Sequence, residues 1–104
     1  MPSIEAVAAS LKLLADPTRL AILALLRHRE LCVCDIVEAL DKTQPNVSQH
    51  LKKLRTGGLI REERRSPWMY YSLNVEDKPH VKHVIDQLPS QEDRILALRS
   101  QGCC

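Results

Sequence analysis

The chain has 104 residues, of which 44% are hydrophobic and 27% charged, and this length and composition predict one globular domain over residues 1–104. No apolar run approaches the roughly 20 residues that a membrane-spanning helix needs, so no membrane partner is expected. The net charge of +2 is too small to indicate nucleic-acid binding by itself.

The N-terminus, Met1–Glu5, has neither the basic nor the continuous apolar segment of a signal peptide, so a cytoplasmic location is expected. Thiols stay reduced there, and the four cysteines therefore indicate metal binding or redox chemistry rather than structural disulfides. No Ser/His/Asp or Cys/His arrangement, phosphate loop or carboxylate pair indicates catalysis. The chain is therefore predicted not to be an enzyme.

The first two predicted helices are separated by a clear boundary. Apolar residues recur at helical spacing over 4–15, and Asp16-Pro17 follows. Asp16 can cap the second helix, and Pro17 suits its first turn because no backbone N–H is needed there. From Leu20 to Leu26 the second helix is apolar on nearly every side, which predicts a central position in the core.

A short third helix is predicted by a single apolar stripe. Its members follow the spacing i, i+3, i+4 and i+7 and are Val33, Ile36, Val37 and Leu40. Residues 41–43 are predicted to form the turn after it.

The fourth helix is predicted to begin after Thr43, which can cap it, and to stop at Gly57-Gly58. Val47, Leu51 and Leu54 fall on one side of this helix and are expected to be buried.

Two strand-like runs, Leu59–Arg65 and Trp68–Leu73, are joined at Ser66-Pro67 and predict a β-hairpin. Side chains of the second run are expected to alternate between buried and exposed, as in a half-buried strand. The segment 79–99 is predicted to be helical with a break at Pro89.

Two helices joined by a short turn and followed by a basic hairpin predict a winged helix-turn-helix fold, mainly α with a β-hairpin wing. Amides and hydroxyls near the start of the fourth helix suit base edges, and lysines one turn later suit phosphates. Arginines of the hairpin are placed to follow the neighbouring backbone or the minor groove. The candidate DNA-binding residues are Gln44, Asn46, Ser48, Gln49, His50, Lys52, Lys53, Arg64 and Arg65.

Some of these assignments have a structural alternative. His50 lies near the edge of the buried stripe, so a hydrogen-bonded structural histidine is as good an interpretation as a DNA contact. Arg64-Arg65 could be solvated strand residues, and basic residues on an isolated helix often form a solvated face. The combination of helix, turn, polar face and basic hairpin is more specific than any one residue.

Cys32 and Cys34 lie at the start of the third helix, just ahead of the DNA-reading pattern. Thiolates suit soft metal centres, and a helix N-terminus tends to lower a cysteine pKa, an effect that Glu30 and Asp35 oppose. Side chains at i and i+2 of a helix point about 200° apart. One ion could therefore bind both sulfurs only if the helix start unwinds, which would disturb the DNA-reading helix and predicts a metal sensor.

The sequence resembles the ArsR/SmtB family of metal-responsive bacterial repressors over nearly the whole chain. Leu14–Leu23 (LADPTRLAIL) is similar to the family's second-helix signature, Gln44–Leu54 to its recognition helix, and Gly57–Ile60 to the exit from that helix. Tyr71–Leu73 resembles the Tyr-x-Leu that closes the wing. Glu30–Asp35 (ELCVCD) resembles the sensor box of the arsenic-responsive branch.

The resemblance implies a homodimer built on the first and last helices, which binds double-stranded operator DNA and represses a resistance operon. It implies that As(III) or Sb(III) is the inducer and that DNA binding requires no cofactor. A homodimer on a pseudo-palindromic operator is also expected because one recognition helix reads too few bases for specificity.

The identity of a third ligand stays open. The arsenic-responsive branch often has a third cysteine where this chain has Val37. A third sulfur could come from the C-terminal pair, from a small-molecule thiol or from nowhere, and that pair could also form a separate site for an organoarsenical or be an unordered tail. The candidate metal ligands are Cys32, Cys34, Cys103 and Cys104.

Other effectors stay open as well. The family's zinc sensors place ligands on the last helix, but the spacing of Asp77, His80, His83 and Asp86 does not reproduce that pattern, and a solvated helix face is favoured. Sensors of Zn/Cd/Pb-type ions or organoarsenicals are alternatives. A thiol-redox switch, in which Cys32 and Cys34 or the C-terminal pair oxidise, is another.

Overall fold

The computed structural model describes residues 3–99 and contains six helices and three strands in that range. In chain order they are α1 (Ile4–Leu14), α2 (Pro17–Leu26), β1 (Leu31–Cys32), α3 (Val33–Leu40), α4 (Gln44–Thr56), β2 (Ile60–Arg65), β3 (Trp68–Leu73), α5 (Pro79–Asp86) and α6 (Glu92–Leu96). None of the helices over residues 3–99 is long and apolar enough to cross a membrane.

Two helix caps occur where the sequence predicts them. Asp16 Oδ2 accepts a hydrogen bond of 3.0 Å from the backbone N–H of Arg19 at the start of α2. Thr43 Oγ1 accepts one of 3.3 Å from the backbone N–H of Asn46 at the start of α4. Each cap satisfies a backbone donor that lacks a partner within its helix, so each fixes where the helix begins.

The core surrounds α2, as its all-round apolar sequence predicts. Ile22, Leu23 and Leu25 are inaccessible to solvent. The predicted stripe of α4, Val47, Leu51 and Leu54, is buried against the same cluster, together with Ile36 of α3.

Two consecutive glycines end α4, as predicted. Gly58 has φ +78°, a backbone conformation that L side chains rarely adopt. A Cβ added to Gly57 would overlap Leu13 Cδ1 of α1. These glycines therefore turn the chain towards β2 and let α1 lie close against the end of α4.

The sheet has three strands in the order β1-β3-β2, and the predicted hairpin is its larger part. The short strand β1 was not predicted. It pairs antiparallel with β3, with Leu31 opposite Tyr71 and Cys32 opposite Tyr70. All residues of β3 are half-buried, so the predicted alternation of buried and exposed side chains is wrong.

The C-terminal helical segment is divided at the predicted break. The chain between α5 and α6 contains Pro89, and α2 contacts it on both sides. Arg27 Nη1 donates to the carbonyls of Ile85 and Leu88, at 2.9 and 3.3 Å. His28 Nε2 accepts from the backbone N–H of Gln91 at 3.1 Å. The end of α2 therefore fixes the position of this segment.

Candidate DNA interface and effector site

The helices α3 and α4 form the predicted helix-turn-helix. Asp41 ends α3 in the left-handed conformation, with φ 52°, and the chain turns at once into the Thr43 cap of α4. Because the buried stripe of α4 faces the core, its opposite face lies in solvent. The predicted DNA-binding residues on that face are all exposed: Gln44, Asn46, Ser48, Gln49, Lys52 and Lys53.

His50 differs from the other α4 residues because it is half-buried against the junction of α1 and α2. Its Nδ1 lies 3.4 Å from Arg19 Nη1 and 3.9 Å from Asp16 Oδ2. The same guanidinium donates through Nε to the carbonyl of Leu13 at 2.6 Å. These contacts favour the structural interpretation of His50, in which the ring attaches α4 to the rest of the domain.

The arginines of the hairpin differ in what surrounds them. Arg61 Nη2 lies 3.8 Å from a carboxylate oxygen of Glu76. Arg64 is exposed, and no carboxylate of residues 3–99 lies within ion-pair distance of it. Arg65 is held by two carboxylates of this chain, those of Glu30 and Glu63. Arg64 is therefore the better placed of the two predicted DNA-binding arginines.

Cys32 is not part of a helix, which corrects the expectation of a regular helical Cys-Val-Cys run. It is the last residue of β1 and the N-cap of α3, with extended backbone (φ −85°, ψ 168°). Its side chain is buried, with 1% exposed. Cys34 lies in the first turn of α3, is half-buried and is disulfide-bonded.

The environment of Cys32 sets the direction of its pKa, which the sequence left open between the helix N-terminus and the opposing acids Glu30 and Asp35. Burial raises the pKa of the Cys32 thiol above its ordinary value, since a buried thiolate lacks solvation. The carboxylate of Asp35, which is itself fully buried, acts in the same direction. The backbone N–H groups of Asp35 and Cys34 lower the pKa but do not compensate.

This geometry changes which rearrangement an ion needs in order to bind both cysteines. The Cys32 thiol is close enough to the backbone N–H groups of Cys34 and Asp35, in the first turn of α3, for them to act on its pKa. Cys32 and Cys34 therefore belong to the same turn, and chelation does not require a regular helix to unwind. It requires that the Cys34 disulfide is reduced and that the buried Cys32 side chain becomes accessible and loses its proton.

The remaining predicted metal ligands are not brought together over the described residues. Cys103 and Cys104 lie outside the range that the structure describes. Within residues 3–99 no group of three or more His, Cys, Asp or Glu side chains is arranged to hold a metal ion. This includes Asp77, His80, His83 and Asp86 on and before α5.

Sequence reasoning assigned no structural role to Glu30 and did not foresee the burial of Asp35. Asp35 stands three residues after the N-cap of α3, a position where acids often face a helix N-terminus, and this was the available signal. The contact between Glu30 and Arg65 left no signal, because the two residues are 35 positions apart.

A family model described as "Bacterial regulatory protein, arsR family" matches residues 16–62, which include α2, β1, α3 and α4. The arsenical resistance operon repressor of Staphylococcus xylosus is 36% identical over 93 residues, covering 89% of this chain and 82% of the relative. The chain belongs to the ArsR family.

Other relatives of the ArsR-family chain support the fold and the type of protein. The arsenical resistance operon repressor of Escherichia coli K12 is 43% identical over 73% of this chain, but the match spans 66% of that repressor. The homodimeric winged helix-turn-helix DNA-binding domain of Mb0332 from Mycobacterium bovis superposes with a TM-score of 0.70 at 32% identity. That match covers 80% of this chain and 74% of the other. The predicted winged helix-turn-helix fold is confirmed, and these relatives are regulators rather than enzymes, as predicted.

Proposed function

We propose that this ArsR-family chain is a cytoplasmic repressor of an arsenic-resistance operon, which leaves its operator when As(III) or Sb(III) binds Cys32 and Cys34. The main supporting observation is that the N-cap of α3 is a buried cysteine, and α3 leads through one short turn into the exposed polar face of α4. The names of the E. coli and S. xylosus relatives agree with this function.

DNA binding uses α4 and the hairpin. Gln49 and Ser48 contact base edges in the major groove, because their exposed amide and hydroxyl lie in the first half of the helix. Lys52, Lys53 and the exposed guanidinium of Arg64 contact phosphates, which position the protein without specifying sequence.

The repressor acts as a homodimer whose interface includes α1 and α6. Exposed apolar side chains on these helices support this: Ile4 is 86% exposed, Leu11 47% and Leu96 75%. Burying such side chains against a second copy removes apolar surface from water. A two-fold dimer also presents two recognition helices to two half-sites.

The effector step takes place in the reduced protein, in which both sulfurs can serve as thiolates. As(III) binds them because soft thiolates are its preferred ligands. The ion binds the conformation with Cys32 accessible and does not fit the buried one. This difference in affinity between two conformations is what release from DNA requires.

The third ligand is a further sulfur, supplied by Cys103, Cys104 or a small-molecule thiol. The C-terminal cysteines are proposed on the sequence alone, because they lie outside the described residues. Val37 packs against the core from α3 and supplies no ligand.

The proposal is tested by titrating the protein–DNA complex with arsenite in a reducing buffer. The DNA is a duplex selected from a random library by the wild-type protein, and binding is followed by fluorescence anisotropy. Cys32→Ser and Cys34→Ser should each bind the duplex like wild type but resist release. Ser at position 32 is a good N-cap, so α3 and α4 should keep their positions.

Two matched comparisons separate the alternatives. Cys103→Ser and Cys104→Ser should only shift the arsenite concentration needed for release. Peroxide without arsenite should not release the wild-type protein. Normal release of both the Cys32 and Cys34 variants would contradict the proposed site, and release by peroxide alone would favour a redox switch.

A further inference from the structure

The sensor cysteine and the wing belong to one sheet. Cys32 ends the edge strand β1 and is paired with Tyr70 of β3, the strand that also forms half of the hairpin. Glu63 of β2 is paired with the same Tyr70 from the other side. A displacement of β1 therefore acts on a strand of the wing.

Arg65 connects the wing to the residue that precedes β1. Its Nη1 and Nη2 donate to Glu30 Oε1 and Oε2 at 2.5 and 2.9 Å, a bidentate pair. Nη2 also donates to Glu63 Oε2 at 3.0 Å. The guanidinium lies 4.7 Å from the ring centroid of Tyr70. Arg65 thus reaches across β3, from the end of β2 to the start of β1.

Glu30 cannot stay in place if the effector displaces β1. Leu31 and Cys32 are both buried, at 0% and 1% exposed, so an ion reaches the Cys32 sulfur only after this segment moves. Glu30 is two residues from Cys32, and its carboxylate is held by the planar guanidinium of Arg65. A bidentate pair of this kind is lost when the carboxylate moves only slightly relative to the guanidinium.

The wing is in turn attached to the recognition helix. Tyr71 Oη donates to Glu62 Oε2 at 2.9 Å, and Arg55 Nε of α4 lies 3.8 Å from the same oxygen. A shift of the hairpin therefore changes contacts of α4, in addition to moving Arg64.

We propose that Glu30 and Arg65 are positioning residues that hold the wing in its DNA-binding position and weaken that hold when the effector moves β1. The proposal rests on the proposed function for its effector, and it adds a second connection to the direct contact between α3 and α4. Arg65 then acts on DNA through the position of the wing and not as a phosphate ligand.

The first test needs no effector. Glu30→Gln, Arg65→Gln and the double variant are compared for binding to the selected duplex. If the pair positions the wing, each single change lowers the affinity for DNA. The loss should reach about fivefold at most, because exposed ion pairs contribute no more than about 1 kcal/mol. The double variant should lose no more affinity than one single variant, because both changes break the same contact. Simple charge effects predict otherwise: loss of the Glu30 charge should raise DNA affinity. A Glu30→Gln variant with raised or unchanged affinity overturns the proposal.

The second test adds arsenite in a reducing buffer and measures the ratio of DNA affinities without and with it. This ratio should fall in both single variants. Glu76→Gln is the matched control, since it breaks the Arg61 pair on the same hairpin without touching β1. Its ratio should equal that of wild type. Unchanged ratios in the Glu30 and Arg65 variants, with wild type released normally, overturn the proposal. If wild type is not released at all, the proposed function fails, and the first test still decides the role of the pair.

Discussion

Gln49 and Lys53 lie about one turn apart on the exposed face of α4, but they should affect DNA binding differently. Gln49→Ala should weaken binding to the selected duplex more than to random DNA, at a cost of about 1–3 kcal/mol in discrimination. Lys53→Ala should weaken both and reduce the salt dependence by about one phosphate contact. Binding to both duplexes over a range of salt concentrations measures this. An unchanged specificity ratio for Gln49→Ala would remove Gln49 from the base-reading residues.

Arg64 and Arg65 are adjacent in sequence, but they should also differ in their effect on DNA binding. Only Arg64 is without a carboxylate partner among the described residues, so Arg64→Ala should reduce the salt dependence of DNA binding. Arg65→Gln should reduce this salt dependence less than Arg64→Ala, so the number of basic residues in the sequence is a poor guide to the DNA interface. The carboxylates of Glu30 and Glu63 already occupy the Arg65 guanidinium.

Tyr71 makes stability depend on pH in the alkaline range. Burial, followed by the hydrogen bond to Glu62, raises the pKa of Tyr71 to about 12 from an ordinary value of 10.0. A raised pKa in the folded state means stabilisation that is complete below pH 10 and is lost as pH rises through about 12. The free energy of unfolding of wild type should therefore fall more steeply over this range than that of Tyr71→Phe. Parallel curves from urea unfolding would contradict the assignment.

Arg27, the C-cap of α2, holds the chain at the end of α5 through its side chain. Arg27→Ala removes its hydrogen bonds to the carbonyls of Ile85, Asp86 and Leu88. Because these bonds involve a charged donor, the expected loss is about 1–3 kcal/mol in the free energy of unfolding. Arg29→Ala, at an exposed position nearby, should change it by less than about 0.5 kcal/mol. Urea denaturation of both variants makes the comparison, and equal stabilities would show that Arg27 does not hold this segment.

Most of the elements could be predicted because their signals are local. Asp16 and Thr43 cap their helices three residues ahead of the bonded N–H, and the stripe of α4 repeats with helical period. Pro89 breaks the last helical segment because its ring cannot continue a helix.

The strand β1 could not be predicted, and the properties of Cys32 depend on it. Two residues show no alternation, and their pairing with β3 joins positions about 40 apart in sequence. Once β1 is present, Cys32 is extended and buried, and burial raises the pKa of its thiol. The candidate ligands were therefore found from a motif, whereas their geometry depended on a long-range contact.

At the scale of the whole molecule, the exposed apolar side chains of α1 and α6 predict a dimer in solution. Leu11→Glu should shift sedimentation at micromolar concentration towards the monomer, because a charge would be buried at the interface. Ser66→Glu, at the exposed turn of the hairpin, is the control and should leave the dimer intact. Monomeric wild type, with and without DNA, would exclude the proposed assembly.

Gly57 leaves the space that the Leu13 side chain of α1 occupies at the end of the recognition helix, and an added methyl group would overlap Leu13 Cδ1 and displace that side chain. If α1 lies at the two-fold axis, this contact contributes to the distance between the two recognition helices. The preferred spacing of half-sites on DNA then depends in part on an absent side chain. Gly57→Ala should change the spacer length that is bound most tightly in a library of duplexes with variable half-site separation. An unchanged optimum would show that the dimer measures its operator by other contacts.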